Sequence, residues 1–298
     1  MIASRTLIHP GRILAGRFRL DSPIASGGMG EVWRGIDLDE PDRERRTVAI
    51  KILRPDLRCE TVFLRRLAAE ATHLAALDHP SIARFVAHGH SGNVDYLAMQ
   101  FVPGVPLHTL SEAGLVSFPD AARILGKVAD ALAHAHNRGV VHRDVKPANI
   151  LVDAPTGGVW VTDFGISFGS GSSNLTEVGR VMGTAEYLAP ERVKGAASSP
   201  ATDLYALGVT AFEVVAGYRP YDGPNPLAIA MKHVSDPIPR LPARVPPTFA
   251  RVITRLLAKD PAARPASAAA LAAEFFALDT VAHPTPPEPP APPAPAAL

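Results

Sequence analysis

A short segment of the sequence combines residue types that can move a proton and hold a cation. In the segment HRDVKPAN, Asp144 is followed two residues later by Lys146 and five residues later by Asn149. A second carboxylate, Asp163, comes fourteen residues after Asn149. Transfer of the terminal phosphoryl group of ATP needs a base for the accepting hydroxyl, a cation near the transferred group and two oxygen ligands for Mg²⁺. The segment and Asp163 together supply each of these, so their spacing indicates phosphoryl-transfer chemistry.

The composition is that of a globular chain with no strong charge of either sign. The 298 residues are 47% hydrophobic and 20% charged, with a formal net charge of +1. This balance gives no excess of positive charge that would indicate general binding to nucleic acid or to a membrane surface. Cys59 is the only cysteine, so a disulfide framework is excluded and a reducing compartment suits the chain.

Targeting signals are not evident in the sequence. Residues 1–16 lack the apolar core of a signal peptide. No uncharged apolar run approaches the roughly 20 residues that a membrane helix needs. We therefore expect a cytoplasmic protein with no nucleic-acid partner and no membrane segment in this chain.

The elements that must position these residues fall into two groups along the chain. Residues 18–102 are rich in alternating, β-branched segments, with one helix predicted over residues 62–77 and ended by Pro80. The predicted strands include residues 17–20, 31–36 and 47–53. From residue 107 onward the pattern is mostly helical, beginning with a helix that starts near Pro119 and is closed by Gly139. Further helices are predicted at residues 204–215, 248–258 and 267–278, the first of them buried because it is apolar nearly all round.

These shifts in pattern predict three parts of the chain. Residues 1–17 form an N-terminal extension, and residues 18–280 form one domain with a smaller lobe (18–102) and a larger lobe (103–280). Residues 281–298 are different, because 8 of the 15 residues between Pro284 and Leu298 are proline. Such a segment cannot build a core and is predicted to be a disordered linker of polyproline type. A ligand for a proline-recognising partner is the alternative interpretation of this tail.

Several motifs in order resemble those of eukaryotic-like (Hanks-type) bacterial serine/threonine protein kinases, in particular the receptor-type branch. They are the glycine-rich segment IASGGMGEV at 24–32, VAIK at 48–51, HRDVKPAN at 142–149, DFG at 163–165 and GTAEYLAPE at 183–191. The resemblance covers about residues 18–278. It implies an α+β, two-lobed protein kinase fold. The smaller lobe would hold an antiparallel five-stranded sheet plus one helix, and the larger lobe would be mainly α-helical.

The resemblance also implies the reaction. The chain would transfer the γ-phosphoryl group of ATP to serine and threonine hydroxyls of proteins, including its own activation segment. Mg²⁺ would be the cofactor, with Mn²⁺ able to substitute. Two alternatives remain: a pseudokinase that uses the fold as an ATP-binding scaffold, and a small-molecule kinase of related fold. The presence of Lys51, Asp144, Asn149 and Asp163 argues against the pseudokinase. The peptide-docking motif at 183–191 argues against the small-molecule kinase.

Nucleotide binding is assigned by the resemblance to one set of residues. Lys51 would grip the α- and β-phosphates while paired with Glu70, and the backbone of Gln100 and Val102 would bind adenine with Met99 at the back of the pocket. Ala25 stands where the family has glycine, which would cost roughly 1–2 kcal/mol if that position needs a positive φ. The complete set is Ile24, Gly27, Gly28, Gly30, Val32, Ala49, Lys51, Glu70, Met99, Gln100, Val102, Asn149, Leu151 and Asp163.

Catalysis is assigned to a second set. Asp144 would orient the substrate hydroxyl and accept its proton, and Lys146 would steady the γ-phosphate charge. Thr184 would contact both of them, and Lys51 would complete the set. Asn149 and Asp163 would hold Mg²⁺ through oxygen ligands, which this hard cation prefers.

The remaining assignments are structural and regulatory. Glu191 would form a buried pair with Arg264, and Asp203 would hold the backbone of the catalytic loop. Thr176 would be the regulatory phosphosite, with Arg143 as the cation that binds its phosphate. Relatives also suggest a transient homodimer through the smaller lobe and a kinase domain on the cytoplasmic side of a membrane anchor.

Overall fold

The computed structural model describes residues 8–27, 30–53, 74–164 and 185–281. Four residues with predicted roles lie outside these ranges, namely Gly28, Glu70, Thr176 and Thr184. Most of the predicted helix at 62–77 and the proline-rich tail lie outside them as well.

The smaller lobe is built on one antiparallel sheet. Its strands are β1 (Ile13–Leu14), β2 (Phe18–Gly27), β3 (Gly30–Asp37), β4 (Thr47–Leu53), β5 (Phe85–Ser91) and β6 (Val94–Gln100). They lie in the order β1-β2-β3-β4-β6-β5. Successive side chains of a strand point to opposite faces of the sheet. On β4, Val48 and Ile50 therefore join the apolar core with Phe18, while Lys51 points to the opposite face.

The sheet has six strands, which corrects the prediction of five. The additional strand, β1, pairs with the start of β2 through a tight turn at Ala15 and Gly16, with φ values of 50° and 71°. The amide of Arg17 closes this turn by donating to the carbonyl of Leu14 at 3.0 Å. Positive φ values at both central residues favour Asn and Gly, so alanine is a poor sequence signal for such a turn. Leu14 is fully buried in the core of this lobe, and the amide of Gly11 donates to the carbonyl of Leu20 at 2.7 Å. Part of the segment predicted as an N-terminal extension is thus packed into the sheet.

The larger lobe is mainly helical, as predicted. Its helices in the described ranges are α1 (Leu107–Glu112), α2 (Phe118–His136), α3 (Pro190–Val193), α4 (Pro200–Ala216), α5 (Pro226–Ser235), α6 (Pro247–Leu256) and α7 (Ala268–Val281). Ser117 caps α2 by accepting the amide of Asp120, and Gly217 ends α4 at a φ of 85°. Nearly every residue of α4 is buried, so the prediction of a central helix is confirmed.

A small three-stranded sheet lies beside these helices. It consists of β7 (Val105–Pro106), β8 (Ile150–Asp153) and β9 (Gly158–Val161), in that order. The amide of Val161 donates to the carbonyl of Ser81, and Ala83 donates back to Val161, at 2.9 and 3.0 Å. Since Ser81 and Ala83 precede β5, these bonds tie the end of β9 to the smaller lobe.

Truncating Leu14 tests whether β1 belongs to the cooperative unit. Because Leu14 is fully buried, Leu14→Ala is expected to lower the free energy of unfolding by about 2–5 kcal/mol. Ile13 on the same strand is 47% exposed, so Ile13→Ala is the matched control and should change it by less than about 1 kcal/mol. Urea unfolding measures both. Equal small effects would contradict the packing of β1 into the core.

Candidate active site

The loop between α2 and β8 is held by one buried carboxylate. Asp203, in the first turn of α4, is 1% exposed. Its two oxygens accept the backbone amides of His142 and Arg143, both at 2.8 Å, and one of them also bonds the His136 ring at 2.8 Å. Arg143 has a φ of 72°, which non-glycine residues rarely adopt. The predicted role of Asp203 thus has a direct structural counterpart.

Three of the predicted chemical residues meet in this loop. Lys146 Nζ lies 2.7 Å from Asp144 Oδ2, and the amide nitrogen of Asn149 donates to the same oxygen at 3.0 Å. Asn149 also donates to the backbone carbonyl of Asp144 at 2.8 Å. Asp144 Oδ1 is buried and has no hydrogen-bond partner among the described residues. One carboxylate oxygen is thus held by two donors while the other is left as an acceptor without a partner in the described part of the chain.

Asp163 brings the two lobes together. It follows β9 with a φ of 61°, and its Oδ1 lies 3.0 Å from Nζ of Lys51 on β4. The Lys51 side chain is 9% exposed and that of Asp163 is 25% exposed. Glu70, the partner predicted for Lys51, lies outside the described residues. The sequence-based interpretation did not include this direct contact between Lys51 and Asp163.

The donor atoms near Asn149 and Asp163 suit a hard divalent cation. Strands β8 and β9 form a hairpin in which Ile150 pairs with Val161, so Asn149 and Asp163 lie at the same end of it. The amide of Thr162 donates to the carbonyl of Asn149 at 2.9 Å, which fixes the two connections together. The side-chain hydrogen bonds of Asn149 use its amide nitrogen, so its side-chain oxygen is left as a potential ligand at the same end of the hairpin as Asp163. Mg²⁺ prefers such oxygen ligands.

The described members of the predicted nucleotide-binding set lie on strands of the smaller lobe and at its junction with the larger lobe. Ala25 pairs with Val32 inside the β2–β3 hairpin, and it is not among the residues with positive φ, so alanine is not strained there. Gly30 is required, because a Cβ there would lie 1.9 Å from the carbonyl oxygen of Ile52. The other described members are Ile24 and Gly27 on β2, Val32 on β3, Ala49 on β4, Met99 and Gln100 on β6, Val102 after it, and Leu151 on β8.

A small pocket lies beside Met99. The side chains that line it are Leu74, Leu77, Ile82, Ala83, Phe85, Leu97, Met99, Asp163 and Phe164. The ring centres of His142 and Phe164 lie 4.4 Å apart. Nε2 of His142 lies 2.9 Å from the carbonyl oxygen of Thr162. His142 and Phe164 therefore pack at the junction of the two lobes. Sequence reasoning missed Phe85 and Leu97, whose strand patterns carry no signal for a cavity.

Glu191 and Arg264 form a bidentate pair. The two guanidinium nitrogens lie 2.6 and 2.7 Å from the carboxylate oxygens, and the Arg264 side chain is fully buried. Arg264 also donates to the carbonyls of Ala201 and Ala258, at 2.8 and 2.9 Å. The charge is therefore fully hydrogen-bonded inside the larger lobe.

A hydrogen bond between Tyr187, in the motif at 183–191, and Glu213 was not predicted. The hydroxyl of Tyr187 donates to Glu213 of α4 at 2.6 Å. Burial raises the pKa of Glu213, and burial together with Glu213 raises the pKa of Tyr187, so the phenol stays protonated. The only signal in the sequence was a lone glutamate within the apolar run of α4.

Comparisons with known proteins identify relatives of this chain. The family model of the protein kinase domain matches residues 18–276. Serine/threonine-protein kinase PknA of Mycobacterium tuberculosis (strain ATCC 25618 / H37Rv) is 44% identical over 260 residues, which are 85% of this chain and 59% of PknA. Serine/threonine-protein kinase PrkC of Bacillus subtilis (strain 168) is 37% identical over 255 residues, which are 84% of this chain and 39% of PrkC. The chain thus spans about half the length of these relatives.

Solved structures show the same architecture. A crystal structure of the Mycobacterium tuberculosis PknI kinase domain matches with a TM-score of 0.72 and 28% sequence identity. The match covers 92% of this chain and all of that one.

Removing the cation of the buried pair should destabilise the larger lobe. Arg264→Met leaves the Glu191 carboxylate without its partner, so the free energy of unfolding is expected to fall by about 3–5 kcal/mol. Arg255 pairs with Glu274 at the surface, where the side chains are 41% and 36% exposed. Arg255→Met is therefore the control, with an expected loss of about 1 kcal/mol or less. Denaturant unfolding distinguishes the two, and a loss for Arg264→Met no larger than that of the control would refute the structural role.

Proposed function

Because this chain belongs to the protein kinase family, we propose that it transfers the γ-phosphoryl group of ATP to serine and threonine hydroxyls of proteins. The observation that carries the proposal is that the two carboxylate oxygens of Asp144 have different surroundings. Oδ2 accepts hydrogen bonds from Lys146 and Asn149, whereas Oδ1 has no partner among the described residues. The names of PknA and PrkC, two serine/threonine-protein kinases that are 44% and 37% identical to this chain, support the choice of serine and threonine. The Lys146 position, two residues after Asp144, supports it too.

Asp144 orients the accepting hydroxyl and takes up its proton through Oδ1. Such base catalysis typically contributes 10²–10⁴-fold to the rate. Lys146, fixed 2.7 Å from Oδ2, adds a positive charge beside the transferred group. This charge stabilises negative charge that develops on the phosphoryl oxygens. Thr184, outside the described residues, is proposed to contact both side chains.

Asn149 and Asp163 are proposed as the Mg²⁺ ligands, and Mn²⁺ as an ion that they also accept. The bound ion would neutralise charge on the phosphate oxygens and orient them. Asp163 offers one carboxylate oxygen while the other is held by Lys51. Asn149 offers its side-chain oxygen because its nitrogen is used to position Asp144.

Lys51 and the cleft-facing residues of β2, β3, β4 and β6 are proposed to bind ATP. The proposed pairing of Lys51 with Glu70 would aim the ammonium at the α- and β-phosphates. The backbone of Gln100 and Val102 would bind adenine, with Met99 at the back. In support, Ala49 pairs with Met99 across β4 and β6, so both flank the same part of the cleft.

Regulation is proposed to act through Thr176. A phosphate on this residue would be bound by Arg143, which neighbours Asp144 and has its backbone fixed by Asp203. The proposal includes transfer to the chain's own activation segment.

Two further proposals concern assembly and location. A transient homodimer would use the smaller lobe, where Ile13 and Leu38 are 47% and 39% exposed. In the described part of the chain, no helix combines the length and the apolar character needed to cross a bilayer. We propose a cytoplasmic location, either alone or as the kinase domain of a membrane-anchored protein.

Asp144→Asn should abolish transfer while leaving the fold intact. Without the base, the rate is expected to fall about 10²–10⁴-fold. Intact-mass spectrometry after incubation with Mg²⁺ and ATP should show stepwise phosphate gains, mapping to Thr176 and neighbouring serines, only when Asp144 is present. Asp153→Asn, in the β8–β9 hairpin, is the control and should keep activity.

The same assay separates the two alternatives from the proposed function. A protein that binds ATP, gains no phosphate and leaves serine and threonine peptides unmodified would be a scaffold. Phosphorylation of small molecules but not of peptides would indicate a small-molecule kinase. Either result would overturn the proposed function.

A further inference from the structure

One carboxylate of the peptide-docking motif at 183–191 is only partly satisfied. Glu186 lies in the short 3₁₀ turn Ala185–Tyr187 of this motif. Its Oε1 forms an ion pair with Arg219, whose Nη1 lies 3.2 Å away. Its Oε2 is buried and has no hydrogen-bond partner among the described residues. A carboxylate oxygen that is shielded from water in this way is a strong acceptor for a cationic donor that reaches it.

A second carboxylate lies beside the motif and is engaged differently. Oε2 of Glu213 accepts the hydrogen bond from the Tyr187 hydroxyl at 2.6 Å. Burial raises the pKa of Glu213, while this hydrogen bond and next the charge of Arg219 oppose the rise. Glu112 acts in the same direction as burial, and His108 opposes it. The motif is thus bordered by several carboxylates, and the Arg219 charge acts beside them.

Arg219 is presented to the motif by the turn that ends α4. Gly217 closes the helix with a φ of 85°, and Tyr221, two residues after Arg219, is buried. The backbone is therefore fixed on both sides of Arg219. The side chains of Arg219 and Glu186 are 35% and 23% exposed, so the ion pair is accessible from outside the protein. A peptide that docks on the motif can reach this pair.

We propose that Arg219 is a specificity-determining residue, whose guanidinium occupies the acidic position at Glu186 and keeps arginine and lysine side chains of protein substrates from binding there. The inference rests on the proposed kinase function and names a class of substrate that the motif disfavours. Arg219 supplies the carboxylate with a cation from within the protein, and it repels a second cation because like charges brought together at an interface are unfavourable. Without Arg219, the Glu186 carboxylate would take its cation from the substrate.

Peptides that differ by one basic residue test the proposal. A serine peptide with glutamine at the flanking positions is compared with versions in which arginine replaces one glutamine at a time. The measured quantity is the ratio of kcat/KM for the arginine version to that for the glutamine version. Arg219→Gln is expected to raise this ratio about fivefold over the wild type at one position, as one partly exposed ion pair would. Arg219→Lys, which keeps the charge, should leave the ratio within about twofold of the wild type.

Two further variants separate the charge of Arg219 from other effects. Arg251→Gln removes an exposed arginine of α6 and changes the net charge by the same amount, so it should leave every ratio unchanged. Adding Glu186→Gln to Arg219→Gln should cancel the gain, because the carboxylate that binds the cation of the peptide is then lost. A general loosening of the motif would lower kcat/KM for both peptides alike and would leave their ratio unmoved.

A binding measurement does not require activity. Fluorescence anisotropy of labelled peptides with alanine in place of serine should show the same fivefold shift toward the arginine peptide in Arg219→Gln. Equal ratios in the wild type and Arg219→Gln at every position, or a gain that persists after Glu186→Gln, would overturn the inference. If the wild type phosphorylates no peptide, the proposed function fails, while the anisotropy data still decide whether Arg219 keeps basic side chains from the motif.

Discussion

The Asp203 carboxylate is the contact on which the active site depends. It is buried at the start of the central helix, where an unpaired charge would cost several kcal/mol. Two backbone amides and one imidazole satisfy it, and both amides belong to residues directly before Asp144. The most buried helix of the larger lobe therefore sets the position of the catalytic loop. Helix α4 is packed on nearly all sides, and its hydrogen bonds through Asp203 fix the backbone of the loop 142–149 to it.

This anchoring permits backbone strain at the two functional positions. Arg143 and Asp163 have φ values of 72° and 61°, and each left-handed non-glycine residue costs roughly 1–2 kcal/mol. Arg143 is held by its bond to Asp203, and Asp163 by the ion pair with Lys51 and the hairpin before it. Such turns re-aim a side chain within one residue. They set the directions of the Asp144 side chain, which meets Lys146, and of the Asp163 side chain, which meets Lys51.

Sequence reasoning succeeded where function depends on neighbouring residues. The loop 142–149 places its chemical groups within a few positions, so their meeting follows from chain connectivity, and the two-lobed fold follows from the motif order. The strand β1 was missed because its turn uses Ala15 in a left-handed conformation that alanine seldom adopts. The hydrogen bond between Tyr205 of α4 and His233 of α5, at 2.9 Å, was missed because it depends on how two helices pack. The hydrophobic pattern of one helix does not show which residue of the other helix it contacts.

The ion pairs Glu191–Arg264 and Lys51–Asp163 differ in their contacts and burial, and the difference suits a structural role for the first and nucleotide binding for the second. Glu191 and Arg264 are 16% and 0% exposed, so separating them would strand a desolvated charge, and the pair is permanent. Lys51 and Asp163 are 9% and 25% exposed, with solvent reaching the carboxylate. On the proposed function, Lys51 must turn toward phosphates and Asp163 toward a metal ion in each cycle. Among the described residues, Lys51 and Asp163 are joined by one contact, whereas Arg264 makes two contacts to Glu191 and donates to the carbonyls of Ala201 and Ala258. Separating Lys51 from Asp163 therefore breaks fewer hydrogen bonds than separating Arg264 from Glu191.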